Sequence, residues 1–176
     1  MNANNKLVYS GQIIKLRLEE ASLPDGSVLE YEIVEHPGGA AIVAINEEGK
    51  VCLIKQYRHV FGEWLWELPA GKIDNDEPPS ETAVRELREE TGLSAKKWSS
   101  LGTVISSPGV FSEIVNLYLA QELKTGIHAH EKGELIEVHW FSLNDAQKMV
   151  INNTITDSKT AIGIFRAIDV VNATNP

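Results

Sequence analysis

The chain has 176 residues, 43% of them hydrophobic, one cysteine and a formal net charge of -9 at pH 7 with a pI near 5.0. This is enough apolar material for one core, and the acidic balance argues against a partner such as a nucleic-acid backbone, which is bound by Lys and Arg neutralising phosphates. Cys52 stands alone, so no intramolecular disulfide can form, and no apolar segment approaches the roughly 20 residues that span a bilayer; a soluble, cytoplasmic protein with no membrane partner is expected.

Residues 12–19 ("QIIKLRLE") and 28–34 ("VLEYEIV") read as strands on either side of "LPDGS", where Pro presets φ and Gly accepts a positive φ, so a hairpin is predicted. After "HPGG", the β-branched runs "AAIVAI" and "KVCLIKQY" flank "NEEG" and predict a second hairpin made of central strands. "WLWELP" is a short strand ended by Pro69. Pro78 and Pro79 fit only the first turn of a helix and Gly92 fits the position just past its end, which predicts a helix over 78–91. "WSSLGTVI", "IVNLYLAQEL" and "LIEVHWFS" read as further strands, with "KTGIHAHEKGE" a loop. "SLNDAQKMVINN" and "DSKTAIGIFRAIDVVNA" carry apolar residues at helical spacing behind Ser or Asp starts and read as two helices. The fold class expected from this order is α+β.

The helix over 78–91 is poorly designed as an isolated helix. At 100° per residue Glu86, Glu89 and Glu90 share an arc of roughly 100°, predicted to face outward, while Ala83, Val84, Leu87 and Thr91 share a neighbouring arc predicted to pack on the sheet. Like charges four apart cost about 0.2–0.5 kcal/mol per pair, and carboxylates in the last turn oppose the macrodipole by about 0.3–1 kcal/mol each. A solvated charged face could carry that penalty. Hard divalent cations among the oxygens would reverse it.

The spacing separates the two readings. Gly71, Glu77, Arg85, Glu86, Leu87, Glu89, Glu90, Gly92 and Leu93 satisfy the pattern G-x5-E-x7-R-E-U-x-E-E-x-G-U, with U a bulky aliphatic residue. With a background of about 6% for each fixed residue, a chance match is on the order of 10⁻⁹ per starting position. By this box the chain resembles the Nudix hydrolases. "WELPAGKID", "SSPGVFSE" with Pro108, and the "DSKT" helix resemble the ADP-ribose pyrophosphatase branch of that superfamily.

The resemblance implies a Nudix fold, a mixed β-sheet core sandwiched by helices, preceded by an N-terminal antiparallel strand pair. It divides the chain into a dimerising extension over 1–37 and a hydrolase domain over 38–176. It implies that Glu86, Glu89 and Glu90, with the main-chain carbonyl of Ala70, hold Mg²⁺ or Mn²⁺, Glu89 counting among the catalytic residues as well. Glu77 and Arg85 are expected as an ion pair between loop and helix, with direct catalysis as the other reading. The general base is expected on the loop before the last core strand, Glu134 first and Glu131 second, with Lys132 where relatives often carry an acid; both glutamates also read as plain loop carboxylates. Arg58 is implied as a phosphate contact, Glu67 as a contact near the metals or the sugar, and Glu113 as an active-site acid or a strand-capping carboxylate. Trp64 and Trp66 read as packing residues, and the His128/His130 pair lacks an evident third ligand for a transition metal.

The activity implied is metal-dependent cleavage of the pyrophosphate bond of ADP-ribose or a related nucleoside diphosphate sugar, giving a nucleoside monophosphate and a sugar phosphate. Two alternatives stay open: a Nudix hydrolase of nucleoside triphosphates or dinucleoside polyphosphates, and a non-catalytic Nudix module that senses ADP-ribose or regulates a partner. The resemblance implies a homodimer, since in relatives the N-terminal strands cross to a second subunit, and a lone hairpin is marginal without more sheet to pair with.

Overall fold

The computed structural model describes residues 5–126 and 135–174. The elements follow in the order β1 (Asn5–Ser10), β2 (Lys15–Ser22), β3 (Val28–Glu35), β4 (Gly39–Ala44), β5 (Lys50–Arg58), β6 (Glu63–Glu67), β7 (Ala70–Lys72), α1 (Pro79–Thr91), β8 (Leu93–Ile105), β9 (Ile114–Thr125), β10 (Ile136–Ser142), α2 (Leu143–Ile151) and α3 (Ser158–Thr174). They form three sheets, ordered β1-β2-β3, β7-β4-β9-β8 and β10-β5-β6. The β4–β9 pair is parallel and the other named strand pairs are antiparallel.

Strand β4 sets the layering. Ala40, Ile42 and Ala44 pack in one cluster with Ala83 and Leu87 of α1, while Ala41, Val43 and Ile45 pack in another with Ile164 and Ala167 of α3. A strand covered on both faces has no solvent side on which to place a polar residue, so its sequence is apolar throughout. Close approach of α3 depends on Gly163, where a methyl group would lie 2.6 Å from Leu68 Cδ1 and 3.2 Å from Val43 Cγ2. The mixed sheet between helices is the α+β architecture expected.

Helix α1 begins where Pro78 and Pro79 permit and ends at Gly92, whose φ of 70° is left-handed and whose N–H reaches the carbonyl of Arg88. Its buried residues are Thr82, Ala83, Glu86, Leu87, Glu90 and Thr91. The expected outward acidic arc is therefore corrected: Glu86 and Glu90 point inward, and Val84 is half exposed instead. The cause is the small backbone of β7 packed beside the helix, described below.

Two further expectations change. The runs "AAIVAI" and "KVCLIKQY" do not form a hairpin, since β4 pairs with β7 and β9 whereas β5 pairs with β6 and β10. The Ile45–Val51 bridge joins them at the turn over Asn46–Lys50, and beyond it the strands diverge into separate sheets. The N-terminal unit has three strands rather than two, because β1 pairs along β2. It is tied to the core where Val34 N–H donates to the carbonyl of Val110 at 2.8 Å and Ser112 N–H to the carbonyl of Val34 at 2.9 Å.

Candidate active site

The site starts with residues that have almost no side chain. Ala40 pairs with Gly71 and Ala41 with Ala70 across β4 and β7. A Cβ on Gly39 would lie 2.7 Å from the Gly71 carbonyl oxygen, and one on Gly71 would collide with the carboxylate of Glu86. The missing side chains let α1 bring its acids against the β7 backbone. Glu90 is buried there, its Oε2 accepting the Ala70 N–H at 2.8 Å.

Arg85 compensates the crowding. Its Nη2 donates to Glu77 Oε1 at 2.7 Å and to the Lys72 carbonyl at 3.1 Å, tying the loop before α1 to the helix. Its Nη1 donates to Glu86 Oε1 at 2.6 Å and Glu89 Oε2 at 3.1 Å. Hydrogen bonds from Arg85 above all, with others from Thr82 and the Asp74 N–H, hold Glu77 at about 2 against the opposing effect of burial. The same bond to Glu77 raises Arg85 above the usual arginine value, with Glu86 and Glu89 adding to it.

Across β5 and β6 a second charge cluster forms. Glu67 accepts Arg58 Nε at 2.7 Å, Arg58 Nη2 at 2.8 Å and Lys159 Nζ at 2.7 Å. Lys159 also donates to Asp157 Oδ1 at 2.9 Å, and Asp157 Oδ2 caps α3 by accepting the Thr160 N–H at 3.0 Å. Burial alone would raise Glu67, but Arg58 and Lys159 outweigh it and hold the carboxyl at about 2. Lys159 is raised despite its burial, by Glu67 and Asp157.

A third group joins the N-terminal unit to the Pro108 loop. Glu113 Oε1 lies 3.3 Å from His36 Nδ1, and its Oε2 accepts from the Ser106 hydroxyl. Burial lowers the His36 pKa against the pull of Glu113, with Lys72 adding to the lowering, which agrees with Nδ1 accepting the Gly38 N–H at 3.1 Å as a neutral ring must. A cavity of about 330 Å³ is lined by members of all three groups: Ala70, Gly71 and Lys72; Arg58, Asp157 and Lys159; His36, Ser106 and Glu113. A second, of about 440 Å³, adjoins it at Arg58 and Lys159 and adds Phe61, Leu65 and Glu67.

The structure thus sets Glu90 on the Ala70 N–H and Glu86 and Glu89 on Arg85, sets Arg58 on Glu67, and puts Glu113 in the same cavity as Arg58. Trp66 packs on His139 and Phe141 with centroids 4.9 and 5.2 Å away, and Trp64 meets Tyr57 edge-on at 6.0 Å. Glu131, Glu134, Lys132, His128 and His130 lie outside the described residues. Sequence reasoning missed His36, Lys72, Asp157 and Lys159 as cavity residues. A lysine in the first turn of α3, where a cation opposes the helix dipole, was the signal available for Lys159.

Among the described residues no three His, Cys, Asp or Glu side chains stand as a metal-holding group, and Arg85 Nη1 donates to both Glu86 and Glu89. The donor chemistry nevertheless suits a hard divalent cation: it is all oxygen, and Gly71 leaves the space into which Glu86 is drawn. Among the described residues, no helix is long and apolar enough to cross a membrane.

Fold and site define an α+β protein with an acidic helix set against a cation-lined cleft. The NUDIX domain family model matches residues 35–159, and the chain belongs to that family. It is 41% identical over 159 residues to the ADP-ribose pyrophosphatase of Bacillus subtilis, covering 89% of this chain and 86% of the relative. It is 36% identical over 159 residues to the methanol dehydrogenase activator of Bacillus methanolicus, with the same coverage of 89% and 86%. A crystal structure of an ADP compounds hydrolase superposes with a TM-score of 0.84 at 20% identity, covering 98% of this chain and 94% of that one, which bears on the fold.

Proposed function

We propose that this chain hydrolyses the pyrophosphate bond of ADP-ribose or a related nucleoside diphosphate sugar, releasing a nucleoside monophosphate and a sugar phosphate. The observation that carries the proposal is a cleft lined by Arg58, Lys72 and Lys159 together with Ala70 and Gly71, against whose backbone the α1 acids Glu90 and Glu86 are set. A diphosphate is an anion that needs cationic contacts, and its cleavage needs further charge neutralisation as the leaving oxygen develops. The name carried by the Bacillus subtilis relative supports the same reading.

Glu86, Glu89 and Glu90, with the carbonyl of Ala70, would hold divalent ions, Mg²⁺ or Mn²⁺. When bound, such ions neutralise diphosphate oxygens and lower the pKa of a coordinated water. The chain's own groups orient the substrate. Arg58 is fixed by Glu67 through two of its nitrogens, leaving Nη1 for a phosphate oxygen. Glu113, supported by Ser106, is an acceptor suited to a substrate hydroxyl. The general base is assigned to Glu134, with Glu131 as the second candidate, on the resemblance alone, both lying outside the described residues.

The N-terminal unit, residues 1–37, is proposed as a dimerisation extension of the hydrolase domain over 38–176. Leu7, Val8, Tyr9, Ile13, Val28 and Leu29 are exposed apolar residues at or beside its sheet, and pairing with a second copy would cover them. Cytoplasmic location is proposed from the lone, buried Cys52, whose thiol burial pushes up to about 12 with the Glu90 charge adding to it. A regulatory reading is favoured by one observation, the 36% identity to an activator protein. The test is a panel of ADP-ribose, GDP-mannose, UDP-glucose, ATP and diadenosine polyphosphates, each with Mg²⁺ and with Mn²⁺. Preferred turnover of a nucleoside diphosphate sugar supports the proposal, preference for ATP moves the protein to another substrate class, and no turnover favours the regulatory reading.

A further inference from the structure

Lys159 is unusual on three counts. It lies in the first turn of α3, where the helix dipole disfavours a cation. Burial adds a desolvation penalty to that position. It is also part of a cluster whose charges already balance, Arg58 and Lys159 against Glu67 and Asp157. Burial is graded within the cluster: Glu67 has 3% of its side chain exposed, Lys159 19% and Arg58 39%. The carboxylate forms the floor, and the two cations remain within reach of a ligand.

An ammonium has three N–H donors and no acceptor. Among the described residues, Lys159 donates to Glu67 and Asp157, which fixes the direction of its Nζ and leaves one N–H. Lys159 lines both cavities, as does Arg58. Two cations held by one buried carboxylate, each with donor capacity left, make a two-point receptor for an anion at the place where the cavities join. Ala70 and Gly71, beside the acidic face of α1, line the first of those cavities too.

We propose that Lys159 is a substrate-binding residue whose remaining N–H contacts a diphosphate oxygen of the nucleoside diphosphate sugar, alongside Arg58. The inference rests on the function proposed above. The competing role for this lysine is scaffolding, in which it serves only to neutralise Glu67 and Asp157. The two roles differ in what Asp157 does. If Lys159 binds the anion, Asp157→Asn keeps the ammonium and removes a competing negative charge, so ligand affinity holds or rises. If Lys159 is scaffolding, either substitution breaks the same ion pair and both weaken the site.

The experiment is calorimetric binding of α,β-methylene ADP-ribose, whose diphosphate cannot be hydrolysed, to the full-length wild type, Lys159→Gln and Asp157→Asn in the presence of Mg²⁺. Thermal midpoints are recorded for each protein, and ADP-ribose turnover for the wild type. The expected result is a loss of about ten- to a hundredfold in affinity for Lys159→Gln, the range of one charge-assisted hydrogen bond, with Asp157→Asn binding at least as tightly as wild type. Equal weakening in both variants, or unchanged binding in Lys159→Gln, overturns the inference while wild-type turnover leaves the proposed function standing. Should Lys159→Gln not fold, weaker binding by Asp157→Asn alone overturns it. A wild type that neither binds the analogue nor turns over ADP-ribose removes the proposed function and this inference together.

Discussion

A methyl group on Gly71 would occupy the space filled by the carboxylate of Glu86, although the two residues are on different elements, β7 and α1. The first glycine of the sequence box is thus a steric requirement of one of its acids. Gly71→Ala should push Glu86 away from the β7 backbone and lower turnover of ADP-ribose by about a hundredfold, the cost of a small misplacement at a reacting centre. Its effect on stability should be an overpacking cost of about 1–3 kcal/mol. Steady-state kinetics and thermal unfolding check the two parts separately.

Arg85 compensates the acidic face with a fixed cation, and its removal should make that face depend on bound metal. Arg85→Ala leaves Glu77, Glu86 and Glu89 without their shared partner, so the metal-free variant should unfold at a lower temperature than wild type. Added Mg²⁺ or Mn²⁺ should raise its midpoint more than it raises that of wild type, because no guanidinium competes for the oxygens. Differential scanning fluorimetry across a metal titration measures both midpoints.

Acid should weaken the protein through Glu67. Its folded-state pKa of about 2 lies below the ordinary 4.5, so the contribution is complete above about pH 4.5 and is lost as pH falls through 2. The shift corresponds to on the order of 3 kcal/mol. Urea unfolding across this window should show a steep fall for wild type and a flatter one for Glu67→Gln, which should be the less stable protein at neutral pH.

Gly163 gives a prediction confined to stability. Alanine would gain up to about 1 kcal/mol of helix propensity but would press on Leu68 and Val43, at an overpacking cost of about 1–3 kcal/mol. Gly163→Ala should therefore lower the thermal midpoint despite alanine's preference for helices.

The α1 box was legible because its chemistry is local: Glu77, Arg85, Glu86, Glu89 and Glu90 lie within 14 consecutive residues, and Pro79 and Gly92 mark the helix ends. The facing of the helix was not legible from amphipathicity alone, since that rule places Val84 inside and Glu86 outside. The room made for Glu86 by Gly71 reverses the order. The separation of β4 from β5 was hidden for a related reason. Two apolar runs around a short turn signal a hairpin, and only the distant partners β9 and β10 show that each strand belongs to a different sheet. Lys159 meets Glu67 across 92 positions of sequence, a contact no local pattern carries.

The claim that the acidic face of α1 works through divalent ions is tested most directly by product analysis of purified protein and ADP-ribose, with Mg²⁺, with Mn²⁺ and with excess chelator, for wild type and Glu90→Gln. The account predicts AMP and ribose 5-phosphate in equal amounts from wild type with either metal, none with chelator, and a rate at least about a hundredfold lower in the variant. Undiminished turnover under chelator, or by Glu90→Gln, would contradict it.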